Sequence, residues 1–144
     1  MSLSKDGRWS AAAVRVWEAA DLVGRANYEE IVIGQVDTGI RLCPAINHPW
    51  IDVARGKNFV EPSNPNPFPP NGPSGGNPEH GTRTLSVLAG ESNADTFRGV
   101  LPGVRVIPYR AVDDVVLDTA SERNQVANAV TDAIGKGAMV MSEI

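Results

Sequence analysis

The chain has 144 residues, of which 42% are hydrophobic and 21% charged, an ordinary composition for one globular domain. Its formal net charge of −4 gives it no basic surface of the kind that binds nucleic acid or anionic lipid. No apolar run reaches about 18 residues, which predicts no transmembrane helix. We therefore expect neither nucleic acid nor a membrane as a partner.

The first part of the chain predicts a helix followed by a strand. Residues 9–23 carry apolar side chains at the spacing of one helix face, with Ser10 as N-cap and Gly24 as the end. Residues 31–36 are a short run rich in β-branched side chains, typical of a strand buried on both faces of a parallel sheet. The run ends in Asp-Thr-Gly at 37–39, where glycine permits a sharp exit.

Residues 61–78 have a different composition. They contain seven of the eleven prolines in the chain, a density that no helix or strand tolerates. The segment is either a surface loop within one domain or a linker between two. We favour the loop, because the flanking pieces are too short to fold alone.

Two strands and a helix are also predicted after the loop. A helix begins at His80 and ends at Gly90, and residues 104–112 predict a strand with an irregularity at Pro108. Residues 138–141 predict the start of another buried strand.

The most clearly marked helix lies between these last two strands. Thr119 and Glu122 form a capping box at its start, and Gly135 ends it. Its predicted apolar stripe consists of Val126, Ala129, Val130, Ala133 and Ile134. Strands that alternate with helices predict an α/β fold of three layers, with a mostly parallel sheet and flanking helices.

Two residues are candidates for chemistry. Asp37 directly follows a predicted strand, which places it at the carboxyl edge of the sheet, where ligand crevices form. A carboxylate there can bind metal, orient a histidine or act as a base. His80 lies 43 residues later at a helix start, and Gly81 after it allows another backbone or a substrate to come close. His48 precedes a proline in a loop, and we assign it no chemistry.

These motifs resemble the subtilisin-like serine proteases, the subtilases. The resemblance rests on Asp-Thr-Gly-Ile at 37–40, His-Gly-Thr at 80–82 and Gly-Val-Leu-Pro at 99–102, in this order and on these elements. It implies a subtilisin-like fold, truncated on its C-terminal side. Residues 30–144 would form part of the peptidase domain, and residues 1–29 a helical extension.

The resemblance also implies an activity, hydrolysis of peptide bonds by a triad in the chain order Asp, His, Ser. Asp37 would orient His80, which would take the proton of the serine hydroxyl. Ser142, on the last strand, would bind a peptide or protein substrate through the main chain. The family's oxyanion asparagine and nucleophilic serine would lie beyond Ile144, so we expect this chain alone to be inactive.

The resemblance leaves the specificity pocket, bound metal and oligomeric state open. The family continues its last strand with Ser-Leu-Gly, whereas this chain has Ser-Glu-Ile at 142–144, which leaves the polarity of the specificity pocket undecided. We expect no cofactor; the resemblance allows structural calcium, but no acidic cluster has its ligand spacing. A truncated sheet would expose an apolar edge, so we expect oligomers through that edge.

Parts of this pattern also suit three other functions. Asp-Thr-Gly is also the signature of aspartic proteases, but those are nearly all-β and pair two such aspartates, which the predicted helices do not fit. A non-catalytic, degenerate relative of the subtilases that serves as a binding module is the second. A dinucleotide site is the third, and we reject it because no Gly-x-Gly-x-x-Gly follows the first strand.

Overall fold

The structure is a computed structural model that describes residues 14–70, 76–91 and 98–144. Its elements, in chain order, are α1 (Val16–Val23), α2 (Arg25–Tyr28), β1 (Val32–Asp37), β2 (Lys57–Asn58), α3 (His80–Ala89), β3 (Arg105–Arg110), α4 (Ala120–Gly135) and β4 (Val140–Glu143). The four strands form one sheet in the order β2-β3-β1-β4, and every pair is parallel. The predicted α/β fold is confirmed. Within the described ranges, no helix has the length and apolarity to cross a membrane.

The pleat of β1 divides the interior into two cores. Ile33 packs with Leu85 and Ala89 of α3 in one buried cluster. Val36 packs with Ala133 of α4 in the other. Because side chains alternate between the faces of a strand, α3 and α4 cover opposite faces of the sheet. The result is the expected arrangement of three layers.

The N-terminal helix is shorter than predicted among the described residues. It begins at Val16, after Arg15 in the left-handed conformation (φ 55°), and Gly24 ends it as expected, with φ 80°. A left-handed residue cannot continue a right-handed helix, which explains the start. Ser10, the predicted N-cap, lies outside the described residues.

Strand β3 runs through Pro108 without a break, where the sequence predicted an irregularity. The Val106 N–H donates to the Trp50 carbonyl oxygen (2.9 Å), so the nitrogen of Pro108, two residues on, faces the same side. On that side, the pairing of β2 with β3 begins at Lys57, which lies opposite Tyr109. Pro108 therefore lies between the bridge of Ile51 with Val106 and the pairing of Lys57 with Tyr109, and its missing N–H is tolerated there.

Helix α4 has the capping box that the sequence predicted. The Thr119 hydroxyl accepts from the Glu122 N–H (3.1 Å), and the Glu122 carboxylate accepts from the Thr119 N–H (2.8 Å). The predicted apolar stripe is wrong at Ile134, which is 60% exposed. Ala133 faces β1, and the next residue of a helix is turned by about 100° from it. Ile134 therefore points away from the sheet.

Strand β4 was predicted correctly as a strand but wrongly as buried. Met139 is 69% and Val140 is 48% exposed, because β4 has only β1 beside it and lies at an edge of the sheet that the structure describes. An exposed edge of this kind can pair with another chain. Oligomerisation through it stays a prediction.

Gly34 sets how closely α4 lies on β1. A Cβ atom there would be 2.8 Å from Ala133 Cβ and 2.9 Å from Met141 Sδ. We expect Gly34→Val to lower the free energy of unfolding by about 1–3 kcal/mol, because the added methyl groups push α4 off the sheet. Urea unfolding measures this. Gly135→Ala is the control, since a methyl group there meets nothing within 4 Å. Equal stability of Gly34→Val and the unmodified chain would contradict this account.

Candidate active site

Asp37 ends β1 and is 3% exposed. It lies two residues after Gln35 and four after Ile33, so the strand's alternation turns it toward α3. The Thr38 N–H donates to its Oδ1 at 2.6 Å. A buried carboxylate costs free energy unless further donors reach it. The sheet thus presents an acceptor to the helix that follows.

His80 is the first residue of α3 and supplies one of these donors. Its Nδ1 lies 2.9 Å from Asp37 Oδ1 and 3.0 Å from Oδ2. An ionised carboxylate can only accept, so Nδ1 is the donor in this contact, and Nε2 is the ring nitrogen that is not used in it. The imidazole is 31% exposed, and Asp37 lies buried behind it. The structure therefore brings together the two residues for which the sequence predicted chemistry.

Gly81 allows α3 to approach the Asp-Thr-Gly turn. A Cβ atom on Gly81 would overlap the carbonyl oxygen of Gly39 and lie 3.1 Å from Asp37 Cβ. The Gly81 N–H also donates to Thr38 Oγ1 at 3.2 Å. Only a residue without a side chain fits here, as expected for the glycine after the histidine.

The turn itself is held from the other side by the proline-rich segment. Gly39 has φ 91°, and a Cβ atom there would be 2.6 Å from the Pro67 carbonyl oxygen. That oxygen accepts from the Ile40 N–H at 2.9 Å. Arg41 Nε lies 2.6 Å from the carboxylate of Glu79, the residue before α3. Residues 61–70 and 76–79 contain neither helix nor strand, in agreement with the predicted loop.

A buried arginine anchors the chain that enters α3. The Arg110 side chain is 3% exposed and pairs with Glu61 (3.0 Å) and Asp113 (2.5 Å). The Asp113 carbonyl accepts from the Asn77 N–H, and the Asn77 carbonyl accepts from the His80 N–H, both at 3.0 Å. Arg110 also lies opposite Asp37 in the β1–β3 register. The start of α3 is thus tied to the strand beside Asp37.

Sequence reasoning missed three residues of this site, namely Gln35, Thr84 and Arg110. Thr84 Oγ1 donates to Asp37 Oδ2 at 3.0 Å. Its signal was the spacing of four from His80, which puts both on one helix face. The signal of Gln35 was a polar residue in a run of apolar ones, two before Asp37. The pairing of Arg110 with Asp37 is set by the sheet register, which no local pattern shows.

The remaining candidates lie elsewhere. Ser142 is in β4 opposite Gln35, partly exposed, and its role in substrate binding stays a prediction. His48 stacks on Trp50 with ring centroids 4.3 Å apart, and its Nε2 lies 2.7 Å from the Glu91 carbonyl oxygen. That setting is structural.

Among the described residues, no cluster of metal ligands surrounds the site, and the cleft nearby lies to one side of it. In the described parts of the chain, no group of three or more His, Cys, Asp or Glu side chains gathers as metal ligands do. A cleft of about 570 Å³ opens beside the turn between residues 40–42 and 64–70, but neither Asp37 nor His80 lines it. We assign it no part in the chemistry.

At the carboxyl edge of a parallel α/β sheet, a buried aspartate that accepts from a histidine can orient that imidazole for proton transfer. The Subtilase family matches residues 29–143 of this chain. The chain belongs to the subtilase family, and with it to the serine-protease type of hydrolase. No curated protein matches it. A parallel sheet with helices on both faces does not fit the aspartic-protease alternative.

We expect Gly81→Ala to separate Asp37 from His80, because the added methyl group forces α3 away from Gly39. The free energy of unfolding should fall by about 1–3 kcal/mol. The downfield ¹H NMR resonance of the His80 Nδ1–H should weaken or disappear, because its acceptor moves away. Gly135→Ala again serves as control. A Gly81→Ala protein with the stability and His80 resonance of the unmodified chain would show that the helix does not need this close approach.

Proposed function

We propose that this chain is part of a serine endopeptidase of the subtilisin type, and that Asp37 and His80 are the aspartate and the histidine of its triad. The observation that carries the proposal is the 2.9 Å contact between Asp37 Oδ1 and His80 Nδ1. Membership of the subtilase family supports it. The position of Asp37 at the carboxyl end of a central strand supports it further.

The proposed mechanism assigns one proton path. His80 Nε2 takes the proton of the serine hydroxyl as its oxygen attacks the carbonyl carbon of the peptide bond. His80 then gives that proton to the leaving amine. Asp37 stays ionised throughout, holds the ring in the Nδ1–H tautomer and stabilises the imidazolium. Because Asp37 is buried, water screens its charge only weakly and the stabilisation is strong.

The serines of this chain do not match the sequence around the family's nucleophile. None of the nine serines in the 144 residues follows the Gly-Thr pair that the family's nucleophile follows. We propose that none of them is the nucleophile, and that the 144 residues alone do not hydrolyse peptides. Loss of the nucleophile costs about a millionfold in kcat in subtilisin.

The proposed substrate is a peptide or protein in extended conformation. Ser142 lies in β4, next to β1, whose last residue is Asp37. We propose that the backbone around Ser142 pairs with the substrate, which gives affinity with little dependence on side chains. Glu143 is exposed beside it, and its carboxylate adds negative charge to this part of the surface.

The test is to express the coding sequence together with whatever it encodes after Ile144, and to measure hydrolysis of an unfolded protein and labelling by a fluorophosphonate. We expect His80→Ala to lower kcat about 10⁶-fold, as loss of the triad histidine does in subtilisin. We expect Asp37→Asn to lower kcat about 10⁴-fold, as the same change does in the chymotrypsin-like triad. His48→Asn is the matched control, because His48 lies outside the site, and it should keep the activity.

Two outcomes would overturn the proposal. Unchanged labelling of the Asp37→Asn and His80→Ala proteins would show that these residues are not members of the triad. A coding sequence that stops near Ile144, with binding of extended peptides and no cleavage, would favour the non-catalytic binding module instead.

A further inference from the structure

Gln35 is a buried amide inside an apolar strand. It is 1% exposed, and its side chain points to the α3 face of the sheet, as does that of Asp37 two residues later. Its Nε2 lies 2.9 Å from the Gly81 carbonyl oxygen and 2.8 Å from Thr84 Oγ1. An apolar side chain would fill this place without the cost of burying an amide. The polar contacts of Gln35 therefore indicate a role beyond packing.

The orientation of this amide follows from its neighbours. The Gly81 carbonyl oxygen can only accept, so the atom of Gln35 that faces it is the nitrogen. The reverse orientation would place two acceptors 2.9 Å apart. With the nitrogen there, Gln35 Oε1 is buried, and no residue that the structure describes donates a hydrogen bond to it. A buried acceptor left unpaired costs stability, which is the usual sign of a constraint other than stability.

The orientation of Gln35 determines what the Thr84 hydroxyl does. Thr84 Oγ1 accepts from Gln35 Nε2, so its own single hydrogen is free to be donated. Three acceptors are in reach, namely Asp37 Oδ2 at 3.0 Å and the carbonyl oxygens of His80 and Gly81, both at 3.2 Å. The carboxylate is the nearest and the only charged acceptor, and hydrogen bonds to a charged acceptor are the stronger ones. Thr84 therefore donates to Asp37.

We propose that Gln35 and Thr84 are positioning residues that lock the carboxylate of Asp37 in the plane in which it accepts from His80. The Thr38 N–H holds Oδ1 and the Thr84 hydroxyl holds Oδ2, so each oxygen has a fixed donor and the carboxylate cannot rotate. His80 Nδ1 then finds both oxygens at nearly equal distance. The catalytic meaning of this arrangement rests on the proposed function; the arrangement itself does not.

The test measures the rate at which the His80 Nδ1–H proton exchanges with solvent, from its downfield ¹H resonance in the full chain. Thr84→Val keeps the shape of the side chain and removes the hydroxyl. We expect exchange at least about tenfold faster, because the carboxylate that protects the proton is then held on one side only. Thr84→Ser restores the hydroxyl and should restore slow exchange.

Thr131→Val is the matched control. The Thr131 hydroxyl donates to the Ala127 carbonyl on the exposed face of α4, so the same chemical change is made far from Asp37. It should leave the exchange of the His80 proton unchanged. Gln35→Met removes the donor that orients Thr84 and should also speed exchange. This variant carries the test if Thr84→Val does not fold, as judged from its amide spectrum.

The results separate this proposal from the proposed function. Unchanged exchange in Thr84→Val, or a Thr84→Ser protein that behaves like Thr84→Val, would overturn the positioning role. In the active protein, the positioning role predicts that Thr84→Val lowers kcat with little change in KM. Faster exchange without a change in kcat would support the positioning of Asp37 and count against its place in the triad.

Discussion

The site depends on the burial of one carboxylate. Asp37 sits at the rim of the sheet with 3% of its surface exposed, and an ionised group in that position must be met by donors. Only one donor, the Thr38 N–H, comes from its own turn. The other two, from His80 and Thr84, belong to α3. Docking of α3 therefore both satisfies the carboxylate and brings His80 against Asp37.

Helix α3 can pack this close to the Asp-Thr-Gly turn only because Gly39 and Gly81 have no side chains. Gly81 brings α3 against the carbonyl of Gly39, and Gly39 in turn lies under the backbone of Pro67. The proline-rich segment that leads to α3 thus lies against the turn that begins the site. Arg110 adds a second tie through Asp113, to the chain just before His80. These contacts restrict both sides of the hydrogen bond, which is what a reaction that needs a fixed tautomer demands.

The two faces of β1 carry different kinds of residue. Its α4 face carries Gly34 and Val36, and there the helix lies flat on the sheet. Its α3 face begins with Ile33 in the core and continues with Gln35 and Asp37. The strand therefore becomes more polar toward its carboxyl end on one face only.

The sequence by itself determined the parallel α/β class, the ends of helices at glycines and the capping box that begins α4. These features have local signatures in spacing or turn chemistry. Asp37 and His80 were each indicated by their places at a strand end and a helix start, and as a pair only by the resemblance to the subtilases. The exposure of Ile134 and the roles of Thr84 and Arg110 were decided by the tertiary structure. Which face of a helix meets the sheet, and which strand residues stand opposite each other, depend on how distant elements pack, and no pattern within one segment contains that information.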